Sequence, residues 1–219
     1  EGVFQVVYDD GIELSQKLTS HDGVDGIAFT GSSTVGMSIM RNAMAKHVKP
    51  CLMEMGGKNA AIVCESADLK KAIEGSYRSA FGLSGQKCSA LSRLYVHRKH
   101  FDAVVAGLVE KAKAMRIGDP LEQEVHMGPV INARSVSRFE QAVTEIKRDG
   151  KMFVGGHRPD GPGYFVAPTI GQVPRNHHLW KTELFLPVLL VEPFDTLDEA
   201  IKLANDCDYG LTAGVFSEK

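Results

Sequence analysis

The chain has 219 residues, 43% of them apolar, enough to bury a core as one large domain or two small ones. Twenty-five basic against twenty-seven acidic residues leave a net charge of −2 and no basic stripe, which speaks against a nucleic-acid partner. The longest apolar run free of charge, Leu184–Val191, falls far short of the ~20 residues a membrane helix needs, and the four cysteines form no CxxC pair, so neither a membrane span, a disulfide framework nor a zinc site is expected, and the setting reads as reducing and cytoplasmic.

Strand-like and helical patterns alternate from the start: an extended run over Val3–Tyr8, a helix over Ile12–Leu18, a strand over Gly26–Thr30, a helix over Val35–Ala45 and a strand over Leu52–Met55. Asn59–Val63 reads as another strand. Asp68 is placed to cap a helix whose positions Leu69, Ile73, Tyr77 and Phe81 fall at steps of four, and Cys88 follows the end of that helix. Beyond it come a strand at Leu94–His97, helices at Phe101–Met115 and Arg134–Arg148, strands at Lys151–Val154, Phe165–Ile170 and Val188–Val191, a helix at Leu197–Ala204 and a strand at Thr212–Phe216. Such alternation argues an α/β fold with a parallel sheet. The glycine pair within Gly56–Lys58 marks a boundary between two parts.

Chemistry concentrates in a few short segments. Phe81-Gly-Leu-Ser-Gly-Gln-Lys-Cys88 presents a thiol behind a Gly-x-x-Gly turn, with Lys87 beside it to favour the thiolate. In Met53-Glu-Met-Gly-Gly-Lys-Asn59 the carboxylate of Glu54 lies between two apolar neighbours; facing inward it would be desolvated, with a raised pKa suited to a general base, and facing outward it would be an ordinary strand-end residue. Phe29-Thr-Gly-Ser-Ser33 sits between a strand and a helix, where open α/β sheets hold phosphate, although it lacks the GxGxxG pattern and a plain Ser cap serves as well. Glu183 and Phe185 stand two apart ahead of an apolar strand. The eight histidines show no metal-ligand spacing, and His177 and His178 would point to opposite sides of an extended chain.

Four of these segments in this order, Phe29-Thr-Gly-Ser32, Met53-Glu-Met-Gly-Gly-Lys-Asn59, Gly85-Gln-Lys-Cys88 and Glu183-Leu-Phe185 with Pro187-Val188, resemble the aldehyde dehydrogenase superfamily, and the likeness runs end to end. Within it, Gly85-Gln-Lys-Cys-Ser-Ala-Leu-Ser-Arg93 is most similar to the 1-pyrroline-5-carboxylate (glutamate semialdehyde) dehydrogenase group. The resemblance implies the end of a Rossmann-like cofactor domain over residues 1–55 and an α/β catalytic domain over 56–219. It implies NAD or NADP as cofactor and a small aldehyde as substrate. Cys88 would be the nucleophile and Glu54 the activator of the hydrolytic water, with Ser89 on the substrate. Gly31 and Ser32 would lie near the cofactor phosphates, with Glu183 and Phe185 at the nicotinamide-side ribose. Having Glu54 at all favours hydrolysis over the acylating branch, which passes the acyl group to coenzyme A or phosphate.

Two departures from the family pattern carry expectations of their own. Leu186 stands where the family usually has Gly, and would crowd the backbone near the cofactor. Family members are also considerably longer, so the chain reads as an internal piece lacking both ends. It would then bind NAD feebly by itself and tend to self-associate, with a homo-oligomer expected of the full-length form. The competing reading is an inactive remnant with a structural or interaction role.

Overall fold

The computed structural model describes residues 2–218. The chain divides into two compact units, Glu1–Gly56 and Gly57–Lys219. The first holds α1 (Glu13–Ser20), β1 (Ile27–Thr30), α2 (Ser33–Ala43) and β2 (Cys51–Glu54), with β1 and β2 paired in parallel from Ile27↔Cys51 to Thr30↔Glu54. The extended run expected at Val3–Tyr8 is not a strand. No strand among the described residues offers it a ladder, and Val3, Phe4 and Tyr8 stand exposed. An apolar run makes a strand only where backbone partners exist.

The second unit is a six-stranded sheet in the order β5-β6-β7-β4-β3-β8, built from β3 (Asn59–Val63), β4 (Leu91–His97), β5 (Lys151–Val154), β6 (Thr169–Gln172), β7 (Val188–Phe194) and β8 (Ala213–Phe216). Every pair is parallel except β5–β6, which runs antiparallel. Four helices cover it: α3 (Leu69–Phe81), α4 (Phe101–Ala114), α5 (Ala133–Asp149) and α6 (Leu197–Asn205). Alternate residues of each central strand face opposite sides. Ala61, Val63, Leu94, Val96, Leu189 and Val191 pack with α3 and α4, whereas Ala60, Ile62, Tyr95, Val188 and Leu190 pack with α5 and α6. The result is a three-layer α/β/α unit with two cores.

Local chemistry sets the helix ends. The Asp68 carboxylate accepts from the Lys70 and Lys71 N–H groups at 2.9 and 3.1 Å, and Asn132 Oδ1 accepts from Ser135 N at 2.9 Å. Thr196 and Glu199 form a capping pair ahead of α6: Thr196 Oγ1 accepts from Glu199 N, and Glu199 Oε2 from Asp195 N. Each cap is worth about 1 kcal/mol, against about 1.5–3 kcal/mol for each fully buried Leu, Val or Phe. Packing therefore decides where the helices sit and caps decide where they begin. β6 starts later than expected, at Thr169, because Phe165–Pro168 spends its apolar side chains in the core without entering the ladder. Among the described residues no helix is long and apolar enough to cross a membrane.

Candidate active site

Between α3 and β4 the chain makes one tight turn of 3-10 helix, Gly82–Gly85, in which Leu83, Ser84 and Gly85 all have positive φ (52°, 56° and 67°). Left-handed backbone costs the two non-glycine residues about 1 kcal/mol or more each, so other contacts must hold it. Ser84 Oγ donates to Gly128 O at 2.8 Å, Gln86 Nε2 donates to Pro129 O at 3.3 Å, and Gln86 Oε1 accepts from Ile131 N at 2.9 Å. The side chains of Ser84 and Gln86 thus stitch the strained turn to the 128–131 loop. Gly85 is the third clamp: any Cβ there would run into the Leu186–Pro187 main chain.

Cys88 follows directly and is half-buried, as are Cys51, Cys64 and Cys207, all four thiols being free. Its carbonyl is gripped rather than its side chain. Asn59 Nδ2 donates to Cys88 O at 2.7 Å and to Ala90 O at 2.9 Å, while Asn59 Oδ1 accepts from Thr212 N at 3.0 Å. A side chain on Gly57 would collide with the same Cys88 oxygen. The Cys88 N–H has no acceptor among the described residues. The Lys87 amine reaches back over Gly82, 3.8 Å from where a Cβ would stand. Ser89 lines a cavity of about 130 Å³ with Asn59, Ser76, Ser79 and Thr212. Ser76 Oγ, fully buried there, has no partner among the described residues, a setting that suits an ordered water.

Glu183 Oε1 accepts from Gly57 N at 2.9 Å, which brings Glu183 to the start of β3, beside the grip on Cys88. Phe185 holds a positive φ of 57° and stays 38% exposed, its ring free to meet a ligand. The crowding expected from Leu186 does not occur. Its side chain is 4% exposed and turned into the core with Val188 and Leu190, so the extra bulk is absorbed by packing.

In the first unit, Ser32 caps α2, its hydroxyl accepting from Val35 N at 3.4 Å, and the Gly31 N–H bonds Glu54 O at 3.0 Å. Glu54 ends β2 with its side chain exposed, so the desolvation of an inward-facing carboxylate is absent.

Beside Glu183, Lys58 is 2% exposed, and burial first, then the Arg93 charge, pushes its amine down to about 7. Arg93 is equally buried and has no carboxylate partner among the described residues: it donates to Lys58 O at 2.8 Å, to Leu203 O and Ala204 O at the end of α6, and to Cys207 Sγ at 3.2 Å. Sequence reasoning missed Asn59, Gln86, Lys58 and Arg93 as site-builders. All four stood inside segments already singled out, Lys58 and Asn59 in Met53–Asn59 and Gln86 and Arg93 in Gly85–Arg93, but nothing local marks either cation as buried. His177 and His178 also differ from expectation. A single 3-10 turn, His178–Trp180, with His177 as its cap, stacks the two rings with centroids 4.7 Å apart instead of sending them to opposite sides.

The family sequence model for the aldehyde dehydrogenase family matches residues 1–219. The chain belongs to that family. A probable betaine aldehyde dehydrogenase of Schizosaccharomyces pombe is 41% identical over 99% of this chain and 44% of its own length. A 1-pyrroline-5-carboxylate dehydrogenase of Geobacillus kaustophilus is 36% identical over 99% of this chain and 43% of its own. Among solved structures of the family, an NAD+ complex of aldehyde dehydrogenase from Bacillus cereus superposes with a TM-score of 0.88 at 39% identity, covering 92% of this chain and 41% of that one. The chain thus spans less than half the length of the family members it matches, with the mixed α/β architecture and parallel strands of their common fold.

Proposed function

We propose that this protein oxidises an aldehyde to a carboxylic acid with NAD or NADP, through a covalent adduct on Cys88, and that the aldehyde is glutamate semialdehyde, the open form of 1-pyrroline-5-carboxylate. The observation that carries the reading is the Gly85–Cys88 turn, strained, cross-tied and followed by a cysteine whose carbonyl is fixed and whose N–H is free. The Cys88 thiolate attacks the aldehyde carbon, forming a C–S bond, and the resulting oxyanion takes the Cys88 N–H as donor. When bound, the nicotinamide supplies the hydride acceptor that converts the adduct to a thioester. Glu54 then removes a proton from the water that cleaves the thioester, releasing acid and regenerating the thiolate. Ser89, beside the nucleophile, contacts the substrate.

The residues present fit such a cofactor. Glu183 uses one oxygen on Gly57 N and leaves the other to accept from a ribose hydroxyl, with the Phe185 ring exposed to lie against that sugar. At Gly31 and Ser32 the start of α2 would face a phosphate with the Ser33 and Thr34 N–H groups of its first turn as donors, the Gly31 and Val35 N–H groups being held by Glu54 O and Ser32 Oγ. On this reading residues 1–55 belong to the cofactor domain and 56–219 to the catalytic domain, with a cytoplasmic setting and a homo-oligomeric full-length form.

The cysteine-loop likeness and the 1-pyrroline-5-carboxylate dehydrogenase relatives support the glutamate semialdehyde assignment. A betaine or amino aldehyde is the second reading, supported by relatives of those names at 41% identity. Reduction of NAD+ and NADP+ followed by absorbance, with glutamate semialdehyde, betaine aldehyde and 4-aminobutanal compared, separates the readings. Preference by kcat/KM for glutamate semialdehyde supports the first. Preference for either cationic aldehyde replaces it with the second, and no turnover with any of the three removes both.

A further inference from the structure

The last two turns of α5 carry Glu145 and Asp149 one turn apart on one face, and the 3-10 turn at 178–180 lays His177 and His178 against them. His178 Nε2 lies 2.5 Å from Glu145 Oε2, and His177 Nε2 lies 3.2 Å from Asp149 Oδ2 and 3.8 Å from Glu145 Oε2. The ligand-capable atoms of Glu145, His177 and His178 all fall within 4.8 Å of one another. We propose that these three residues, with Asp149 alongside, form a site for one divalent transition-metal ion of the zinc class, tying α5 to the turn that leads into Glu183.

Three features favour a cation there. First, the Glu145 side chain is only 12% exposed, and among the described residues its neighbours within ion-pair distance are the two imidazoles; Arg148, whose charge also reaches it, is spent on Asp149 at 2.6 Å. A largely buried carboxylate with no lysine or arginine in contact is a place where a bound cation would supply the missing counter-charge. Second, two imidazoles and carboxylate oxygens are a donor set zinc prefers, at bond lengths of about 2.0–2.2 Å. The observed spacings bracket the roughly 3.3 Å ligand-to-ligand separation of a tetrahedral site, and His178, 58% exposed, has room to adjust. Third, the outer contacts suit ligation: Gln141 Nε2 donates to Glu145 Oε1 at 3.2 Å, and His178 Nδ1 faces Thr182 Oγ1 at 3.4 Å, so it can keep its proton there and leave Nε2 bare. His177 must give something up. Its Nδ1 accepts from Leu179 N at 3.2 Å, and binding metal through Nε2 moves the ring proton to Nδ1 at the loss of that contact.

Calorimetric titration of the full chain with ZnCl2 at pH 7.5 and 6.0 tests the site, with the His178→Gln and Glu145→Gln variants run in parallel. The expected result is one saturable zinc per chain from this site, weaker at pH 6.0 because protons compete for the imidazoles, and weakened at least about tenfold in each variant. His178 is exposed enough for its variant to fold, so it decides alone if Glu145→Gln does not. Zinc binding unchanged in His178→Gln would assign the metal to other groups, such as the thiols, and overturn the proposal, as would the absence of saturable binding in the wild-type chain.

Discussion

Asn59 ties the candidate site together through one side chain, because its amide satisfies two carbonyls of the Cys88–Ala90 segment and the Thr212 N–H of a second segment. Asn59→Ala strands those groups and is expected to cost about 2–3 kcal/mol, seen as a lower urea midpoint. Iodoacetamide alkylation against pH should also show the Cys88 profile shifting while those of Cys51, Cys64 and Cys207 stay put; a uniform change in all four would mean a merely structural loss. Lys58 carries a pH signature. Its amine is pushed down to about 7 in the fold, whereas in the unfolded chain it keeps its proton up to about 10.4. Between those values the unfolded state holds more protons, so this residue's contribution makes stability rise with pH, and below pH 7 the full penalty of a buried ammonium applies. Lys58→Met is therefore expected to be more stable than wild type at pH 6–7, by on the order of a few kcal/mol, with the gap closing toward pH 10. Urea melts at pH 6.5, 8 and 9.5 check this, and parallel curves for the two proteins would refute it.

At the level of elements, Asp68→Ala removes two N–H contacts from the first turn of α3 and should lower stability by about 1 kcal/mol, read as a drop in Tm. That cap is also why α3 was legible to the residue in the sequence, together with the four-step spacing from Leu69 to Phe81; β3 and β5 were equally plain. Elements went astray where the deciding partner was distant. The Val3–Tyr8 run has strand composition and no ladder, and Phe165–Pro168 has strand composition but packs as irregular chain ahead of β6. The site divides in the same way. Gly-Gln-x-Cys and the Glu-x-Phe element can be read locally, while the clasp of Asn59 on Cys88, the Glu183 bond to Gly57 and the stacking of His177 on His178 join segments whose proximity only the folded sheet reveals. Glu54 shows the limit of alternation itself: its place in the strand was right, yet its side chain is exposed.

Among the described residues of the whole chain, the two apolar cores draw their members from Ala60 to Phe216, all in the second unit. Residues 57–218 expressed alone are expected to unfold in one cooperative transition by circular dichroism, and residues 2–56 alone to show none; a melted 57–218 would refute the division. Val35, Met37, Val48 and Leu52 stand exposed in the first unit, so the chain is expected to self-associate with rising concentration, measurable by sedimentation velocity. The closures around Gly57 and Gly85 reach beyond any single molecule. Every single-base change that replaces a glycine codon's amino acid adds at least a methyl group, and at these two positions that group is driven into main-chain atoms. A lineage diversifying this loop is therefore barred from both codons, and its inheritable variation there is channelled into neighbours such as Lys87 and Ser89, whose side chains already have somewhere to go.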